Sequence, residues 1–321
     1  MTDRYGDVVV VGAGVSGLTT ALVLKRAGIP VRIFARDSSL ATTSCNAGAI
    51  WGPHLVDHQR VKDWSNVSLK ELTGLAGAER TGVRMVTGVE AARMHTTPPI
   101  WMKNLDSFDE LPTEKLPAGF VVGWRYTVPI VDMPTYLGYL LDSLAALDVQ
   151  VEERTIESAA ELAALGRVVV NCTGLGSQTL MSDTALEPVR GDLIKVDNPG
   201  IHEFFAEHTD EPVDQTYILP QGEFLLLGGT AVAGETSLVP DAEVARGIVE
   251  RCAEVDSRLA GAPVLEHRVG LRPNRTEIRL EPERVGASTI IHNYGHGGGG
   301  VTLSWGCAEE VRELVEKVRA N

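Results

Sequence analysis

The chain has 321 residues, 44% of them hydrophobic and only 5% aromatic, which is enough to bury the core of a two-domain soluble protein. A formal net charge of −14 would repel a phosphate backbone, so nucleic acid is excluded as a partner, and no basic block or basic amphipathic helix offers itself to an anionic membrane. Cys45, Cys172, Cys252 and Cys307 form no C-x-x-C pair and read as reduced, mostly buried thiols; with no secretory pattern at the N-terminus and no apolar run of membrane length, a cytoplasmic location is expected.

In chain order, the first predicted element is a β-branched strand over residues 8–11. Gly12, Ala13, Gly14, Val15, Ser16 and Gly17 follow. A helical spacing then runs through Leu18, Leu22 and Leu24 to Gly28, and Pro30 starts a second strand over 31–34. Strand, turn, helix and strand within about thirty residues is the size of one nucleotide-binding unit. Residues 42–53 are rich in small side chains and read as loop. Residues 56–75 read as helix, 82–94 and 120–128 as strands, and 134–147 as a helix opened by Asp132 or Pro134. The apolar strand 168–171 ends on Gly174 and Gly176, and segments 193–196, 215–219 and 224–227 alternate as antiparallel strands do. A helix over 241–253, a strand over 290–293, a glycine loop over 295–300 and a helix over 301–318 complete the chain. Nucleotide-binding signals therefore recur at its start, middle and end. They predict an α/β protein with a discontinuous Rossmann-like nucleotide domain (residues 1–55, 150–187 and 265–321). An antiparallel-sheet α+β substrate domain is built from 56–149 and 188–264.

The motif Gly12-x-Gly14-x-x-Gly17 has the spacing that cradles a pyrophosphate. Its first glycine permits the tight turn, the second admits backbone to the ligand, and the third lets helix and strand pack closely. Its place between a strand and a helix strengthens it, but the motif does not separate FAD from NAD. At the end of the second strand, Asp37 suits a ribose hydroxyl and Arg36 a phosphate, or either is simply solvated. Thr42, Thr43 and Ser44 offer hydroxyls ahead of the small-residue stretch Ala47, Gly48 and Ala49, and Ile50 follows at the border of the expected ligand. Thr173 and Gly174 close the 168–171 strand. Gly297, Gly298, Gly299 and Gly300, followed by Val301 and Thr302, suggest close backbone approach to a flat ligand. His54/His58 and His292/His296 have i,i+4 spacing without the glutamate of a zinc helix, and are read as packing or local hydrogen bonding; no metal site is expected.

Four segments of the C-terminal third, Gly270-Leu271-Arg272-Pro273-x-Arg275, Ile278-Arg279-Leu280-Glu281, Ile291-His292-Asn293-Tyr294-Gly295-His296-Gly297-Gly298 and Trp305-Gly306-Cys307-Ala308, strongly resemble the D-amino-acid oxidase family. The first glycine motif, Asn171-Cys172-Thr173-Gly174, Arg190-Gly191, Tyr217-Ile218-x-Pro220 and Leu227-Gly228-Gly229 fall in the family's order, so the resemblance spans essentially the whole chain. It implies FAD at the boundary of the two domains, a D-amino acid and O2 as substrates, and a homodimer. Arg272 matches the arginine that grips the substrate carboxylate, Tyr217 the tyrosine that shares it, and Gly298 the glycine whose carbonyl accepts a bond from the amine. A planar guanidinium suits a carboxylate in a way lysine cannot, and Pro273 suggests that Arg272 sits on a fixed loop. The family's animal members carry a second lid tyrosine where this chain has Val213, and an aromatic residue where it has Gly299. Related D-aspartate oxidases place arginine after Gly-Gly-Thr, whereas here Gly228-Gly229-Thr230 precedes Ala231. Acidic residues at the rim (Glu203, Glu207, Asp210, Glu211, Asp214) and a small Ala206 suggest basic or bulky D-amino acids. The competing readings are a glycine or sarcosine-type amine oxidase of the same fold, a D-aspartate oxidase, an NAD(P)-dependent dehydrogenase, and a flavin-binding protein without catalysis.

Overall fold

The computed structural model describes residues 6–53, 58–209 and 214–320. Two sheets organise them. The first has six strands in the order Arg279–Val285, Ser288–Tyr294, Val168–Asn171, Val8–Val11, Val31–Ala35 and Val151–Glu153. All but the Arg279–Val285 edge run parallel, with Val9 opposite both Arg32 and Val169, and Val170 opposite Ile291. The Val8–Val11 and Val168–Asn171 strands are buried throughout. A parallel strand covered on both faces demands such a continuous apolar run. The helices Val15–Arg26 and Gly300–Ala320 pack against each other beside this sheet. This is the Rossmann-like half that the opening strand–turn–helix pattern predicts.

The second sheet has nine strands. Tyr217 on the Tyr217–Pro220 strand lies opposite Gly228 on one neighbour and Ala206 on the other. The sheet is antiparallel except where Val83–Ala92 runs alongside Phe204–Glu207. One face is covered by the helix Ala242–Val255, which packs on Ile194, Phe205, Ile218 and Leu227. The other face shares a core with the first half, joining Tyr126, Phe204 and Leu219 to Val10 and Leu18.

Several expectations shift. The helix expected from residue 56 begins at Val61; residues 54–57 lie outside the described residues, and the His58 imidazole accepts from the Arg60 N–H in a turn ahead of the helix. Arg272 is not on a loop but on the strand Glu266–Asn274, opposite Val189. Pro273 is tolerated there because it faces Pro188, so the two residues lacking an N–H oppose each other. That strand pairs into the nine-stranded sheet, although its sequence neighbours 279–320 build the nucleotide half.

Candidate active site

The parallel strands of the first sheet all end at one edge, so the turns that follow them converge there. Gly12 has φ +116°, and a Cβ on it would stand 2.3 Å from the Cys172 carbonyl oxygen. A Cβ on Gly17 would stand 1.9 Å from the Gly12 oxygen. Both glycines are therefore fixed by the packing of the turn itself. Gly14 caps the helix Val15–Arg26 in extended backbone, and the Ser44 hydroxyl accepts from the Val15 N–H at 3.1 Å. Leu18 is the first residue here to bond back, to the Gly14 oxygen at 3.0 Å. Among the described residues no acceptor meets the N–H groups of Gly14, Ser16 and Gly17. Free donors at the positive end of a helix, with Ala13 buried beneath the turn, suit a pyrophosphate.

The other expected nucleotide residues fall around this cradle. Arg36 and Asp37 sit exposed beyond the second strand and pair with each other at 2.8 Å. Thr42 bonds the Ser39 oxygen, and Thr43 donates to the Leu271 oxygen at 3.1 Å. Asn46, which the sequence did not single out, donates to the Val269 oxygen at 3.0 Å and so ties this loop to the Arg272 strand. Ala49 has φ +48°, and its oxygen accepts from Val131. Ile50 bridges to Ile130. A Cβ on Gly48 would lie 3.7 Å from the Tyr217 ring, so this loop runs from the cradle to the second sheet. Thr173 is held by Asn171 and Ser177 at 2.8 Å each, and Gly174 follows at φ +54°.

The glycine loop is a short 3₁₀ turn, Gly297–Gly299, that leads into the helix starting at Gly300. Gly297 takes φ +53°, and Gly298 is exposed at its crest. A Cβ on Gly300 would lie 3.9 Å from Val15, which puts the two helix N-termini side by side. His296 spans them, with Nδ1 3.5 Å from the Ser16 hydroxyl and Nε2 3.1 Å from Asn293 Oδ1. Burial pushes its pKa down to about 4, so the ring is neutral. Val301 is buried, and the Thr302 hydroxyl is engaged by both backbone groups of Gly52. His292 bonds Glu283 at 2.9 Å. His58, His292 and His296 are thus engaged in local hydrogen bonds, and His54 lies outside the described residues.

The substrate end lies where the two sheets meet. The Arg272 guanidinium lies over Gly191, where a Cβ would stand 2.4 Å from Nη2, and donates to the Thr230 carbonyl at 2.9 Å. The Tyr217 ring lies over Gly228 and Gly229, where added Cβ atoms would stand 2.0 Å from Cζ and 2.4 Å from the hydroxyl. The two meet at one segment, with Arg272 bonded to the Thr230 carbonyl and the Tyr217 hydroxyl over the adjacent Gly229. Burial raises the Tyr217 pKa, with the Arg272 charge pulling the other way. Behind them Asp192 is buried and binds Arg190 at 2.8 and 3.1 Å, His267 at 2.9 Å and the Thr230 hydroxyl at 2.7 Å. Burial alone would raise the Asp192 carboxyl, but the hydrogen bonds from Arg190, Thr230 and His267 hold it below the usual range. Gly191, Gly228 and Gly229 entered the sequence reading only as motif letters; what they contribute is the absence of a side chain beneath Arg272 and Tyr217.

Of the expected acidic rim, the three described residues are each engaged by an arginine. Glu203 pairs with Arg125, Glu207 with Arg93, and Asp214 lies 3.9 Å from Arg251. Asp210, Glu211 and Val213 lie outside the described residues.

A dinucleotide cradle in one half, beside a half-buried arginine–tyrosine pair in the other, defines an FAD-dependent oxidoreductase. A family model described as FAD dependent oxidoreductase matches residues 7–314, and the chain belongs to that family. It is 43% identical over 309 residues to a D-amino-acid oxidase of Rubrobacter xylanophilus, covering 95% of this chain and 94% of that one. It is 42% identical over 325 residues to a D-amino-acid oxidase of Streptomyces coelicolor, covering 97% of each. Among solved structures, a glycine oxidase from Bacillus cereus superposes with a TM-score of 0.78 over 98% of this chain and 95% of that one. At 20% identity that likeness speaks for the fold alone. No described helix is long and apolar enough to cross a membrane.

Proposed function

We propose that this flavoenzyme oxidises D-amino acids to 2-imino acids, which water converts to 2-oxo acids and ammonia, while O2 becomes hydrogen peroxide. The observation that carries this reading is that Arg272 and Tyr217 converge on the Gly229–Thr230 segment at the junction of the two sheets. It is supported by two D-amino-acid oxidases above 40% identity across nearly the whole chain.

Arg272 receives the substrate carboxylate on the guanidinium edge that Thr230 does not occupy, and Tyr217 donates its hydroxyl to the same carboxylate. The Gly298 carbonyl accepts from the amine. With the carboxylate and the amine both held, the two enantiomers differ in whether hydrogen or side chain faces the cofactor, and the D-form is the one that would present its α-C–H there. Neither Tyr217 nor Arg272 serves as a base, and none is needed when hydrogen leaves as hydride from a neutral amine. Bound FAD supplies the hydride acceptor and passes the electrons to O2. The cofactor contacts fall to the Gly12–Gly17 turn, Arg36 and Asp37, the loop 42–50, Thr173 and Gly174, and the stretch 297–302.

The cofactor domain consists of residues 1–55, 150–187 and 265–321, and the substrate domain of 56–149 and 188–264, with the Arg272 strand reaching across from the first to pair with the second. A cytoplasmic homodimer completes the reading; light scattering of the holoenzyme tests the dimer. For the reaction, peroxide release with D-alanine or D-methionine and none with the L-forms is expected. Release with glycine or sarcosine and not with D-alanine would favour the amine-oxidase alternative.

A further inference from the structure

The two anchors of the proposed substrate belong to different sheets. Arg272 lies on the strand Glu266–Asn274 of the nine-stranded sheet, whereas Gly298 follows the strand Ser288–Tyr294 of the six-stranded sheet. The carboxylate and the amine of an amino acid sit on one carbon. Their two anchors must therefore keep one separation, to within about 0.5 Å, if the C–H between them is to stay aimed. The Arg272 strand and the Gly297–Gly299 turn touch. Among the described residues, however, that strand pairs with Glu187–Asp197 and with no strand of the six-stranded sheet.

A cluster of side chains bridges the two instead. Asp183 is buried in the turn between the short helix Gly176–Leu180 and the strand Glu187–Asp197, where the chain crosses from one sheet to the other. Its Oδ2 accepts from Arg275 Nε at 3.1 Å and from the Tyr294 hydroxyl at 2.8 Å, and its Oδ1 accepts from the Ala185 N–H at 3.0 Å. Burial alone would raise the Asp183 carboxyl, but the bonds from Tyr294, Ala185 and Arg275 hold it below the usual range. Arg275 stands three residues after Arg272, and Tyr294 four before Gly298. The Arg275 stem runs across Gly295, where a Cβ would stand 3.0 Å from its Cβ and Cδ, and its Nη1 donates to the Glu277 carbonyl at 2.7 Å. The Tyr294 hydroxyl in turn accepts from Arg279 Nη1 at 2.9 Å, so both its donor and its acceptor side are used. A buried ion pair is a weak stabiliser. What this one does is tie the end of the Arg272 strand to the start of the glycine turn.

Resting on the D-amino-acid oxidase reading above, we infer that Asp183 is a positioning residue of the site, holding the Gly298 carbonyl at a set distance from the Arg272 guanidinium through Tyr294 and Arg275. The carboxylate anchor does not depend on it, because Arg272 takes its orientation from the Thr230 carbonyl. Loosening the cluster leaves the carboxylate bound and lets the amine drift from its acceptor, so that the α-C–H loses its aim.

The test compares two readouts on the flavin-loaded enzyme. One is the rate constant for anaerobic flavin reduction by saturating D-alanine. The other is the Kd of propionate, the same acid without its amine, read from the perturbation of the flavin band. Asp183→Asn keeps the shape of the side chain but turns one acceptor into a donor. It should lower the reduction rate by about tenfold or more while moving the propionate Kd by less than about twofold. Tyr294→Phe, which removes one arm of the cluster, should show the same split with a smaller fall. It decides the matter if Asp183→Asn does not hold flavin. A reduction rate that neither variant changes overturns the inference. So does a fall in rate matched by an equal loss of propionate affinity, the signature of a merely structural carboxylate. Either result, with the wild type reduced by D-alanine, sinks the role of Asp183 alone. A wild-type flavin that no D-amino acid reduces sinks the oxidase reading with it.

Discussion

Arg272 donates through Nη1 to the Thr230 carbonyl at 2.9 Å, and this bond decides which side of the guanidinium is left for a ligand. Thr230 is in turn anchored by Asp192, through its hydroxyl at 2.7 Å and the Asp192 N–H at 2.9 Å. The orientation of the guanidinium proposed to hold the substrate is thus set by a buried network on the strands beneath it.

Replacing Arg272 by alanine should lower kcat/KM for any D-amino acid by an amount on the order of 2–5 kcal/mol, because the desolvated carboxylate loses its partner. Flavin content should stay near stoichiometric. Lysine at this position should recover only part of the loss, since it lacks the planar fork. Wild-type kcat/KM in the alanine variant would reject the assignment.

Tyr217→Phe should cost less, on the order of tenfold in kcat/KM for one hydrogen bond to a charged group. Burial holds the Tyr217 hydroxyl protonated above the ordinary tyrosine range. The wild-type rate should therefore show no alkaline fall near pH 10 that the phenylalanine variant abolishes. A limb at about pH 10 that vanishes in the variant would contradict the buried, protonated hydroxyl.

Gly17→Ala places a methyl 1.9 Å from the Gly12 oxygen, so the turn must open. Loss of bound flavin and a lowered Tm are expected. Gly138→Ala, on the helix Met133–Ala145 with nothing near the added methyl, is the control and should bind flavin normally. Equal flavin content in both variants would show that the turn is not the cradle.

His296 links the turn to pH. Its folded pKa is about 4, against about 6.5 for an unfolded histidine. Between those values the unfolded chain binds a proton that the native state does not. Stability is therefore fully present above about pH 6.5 and is lost as pH falls toward 4, by roughly 3 kcal/mol. Burial lowers His292 in the same direction, against the pull of Glu283. Thermal melts between pH 7 and pH 4.5 should show a steeper fall for the wild type than for His296→Gln. Parallel curves would assign the acid sensitivity elsewhere.

Much of this architecture is legible in the sequence, for identifiable reasons. The Val8–Val11 and Val168–Asn171 strands announce themselves because burial on both faces leaves no room for polar letters. Gly12 and Gly17 are readable because only glycine fits where they sit. The edge strands Val151–Glu153, Asp109–Leu111 and Val232–Ala233 are short and largely exposed, and carry no pattern of their own. The strand Glu266–Asn274 mixes charge, glycine and proline, and becomes a strand through its partner Glu187–Asp197. Asn46 acts through a contact more than two hundred residues away. Glu90 reads as one polar residue in a strand until register places it opposite Ala206, which itself lies opposite Tyr217.

The central claim is most directly tested by the anaerobic absorbance spectrum of the purified holoenzyme, recorded before and after separate additions of D-alanine, D-methionine and D-arginine, with the L-forms as controls. Bleaching of the oxidised-flavin band by D-forms only, reversed by air with release of hydrogen peroxide, is expected. A flavin band unmoved by every D-amino acid, or bleached equally by the L-forms, would contradict it.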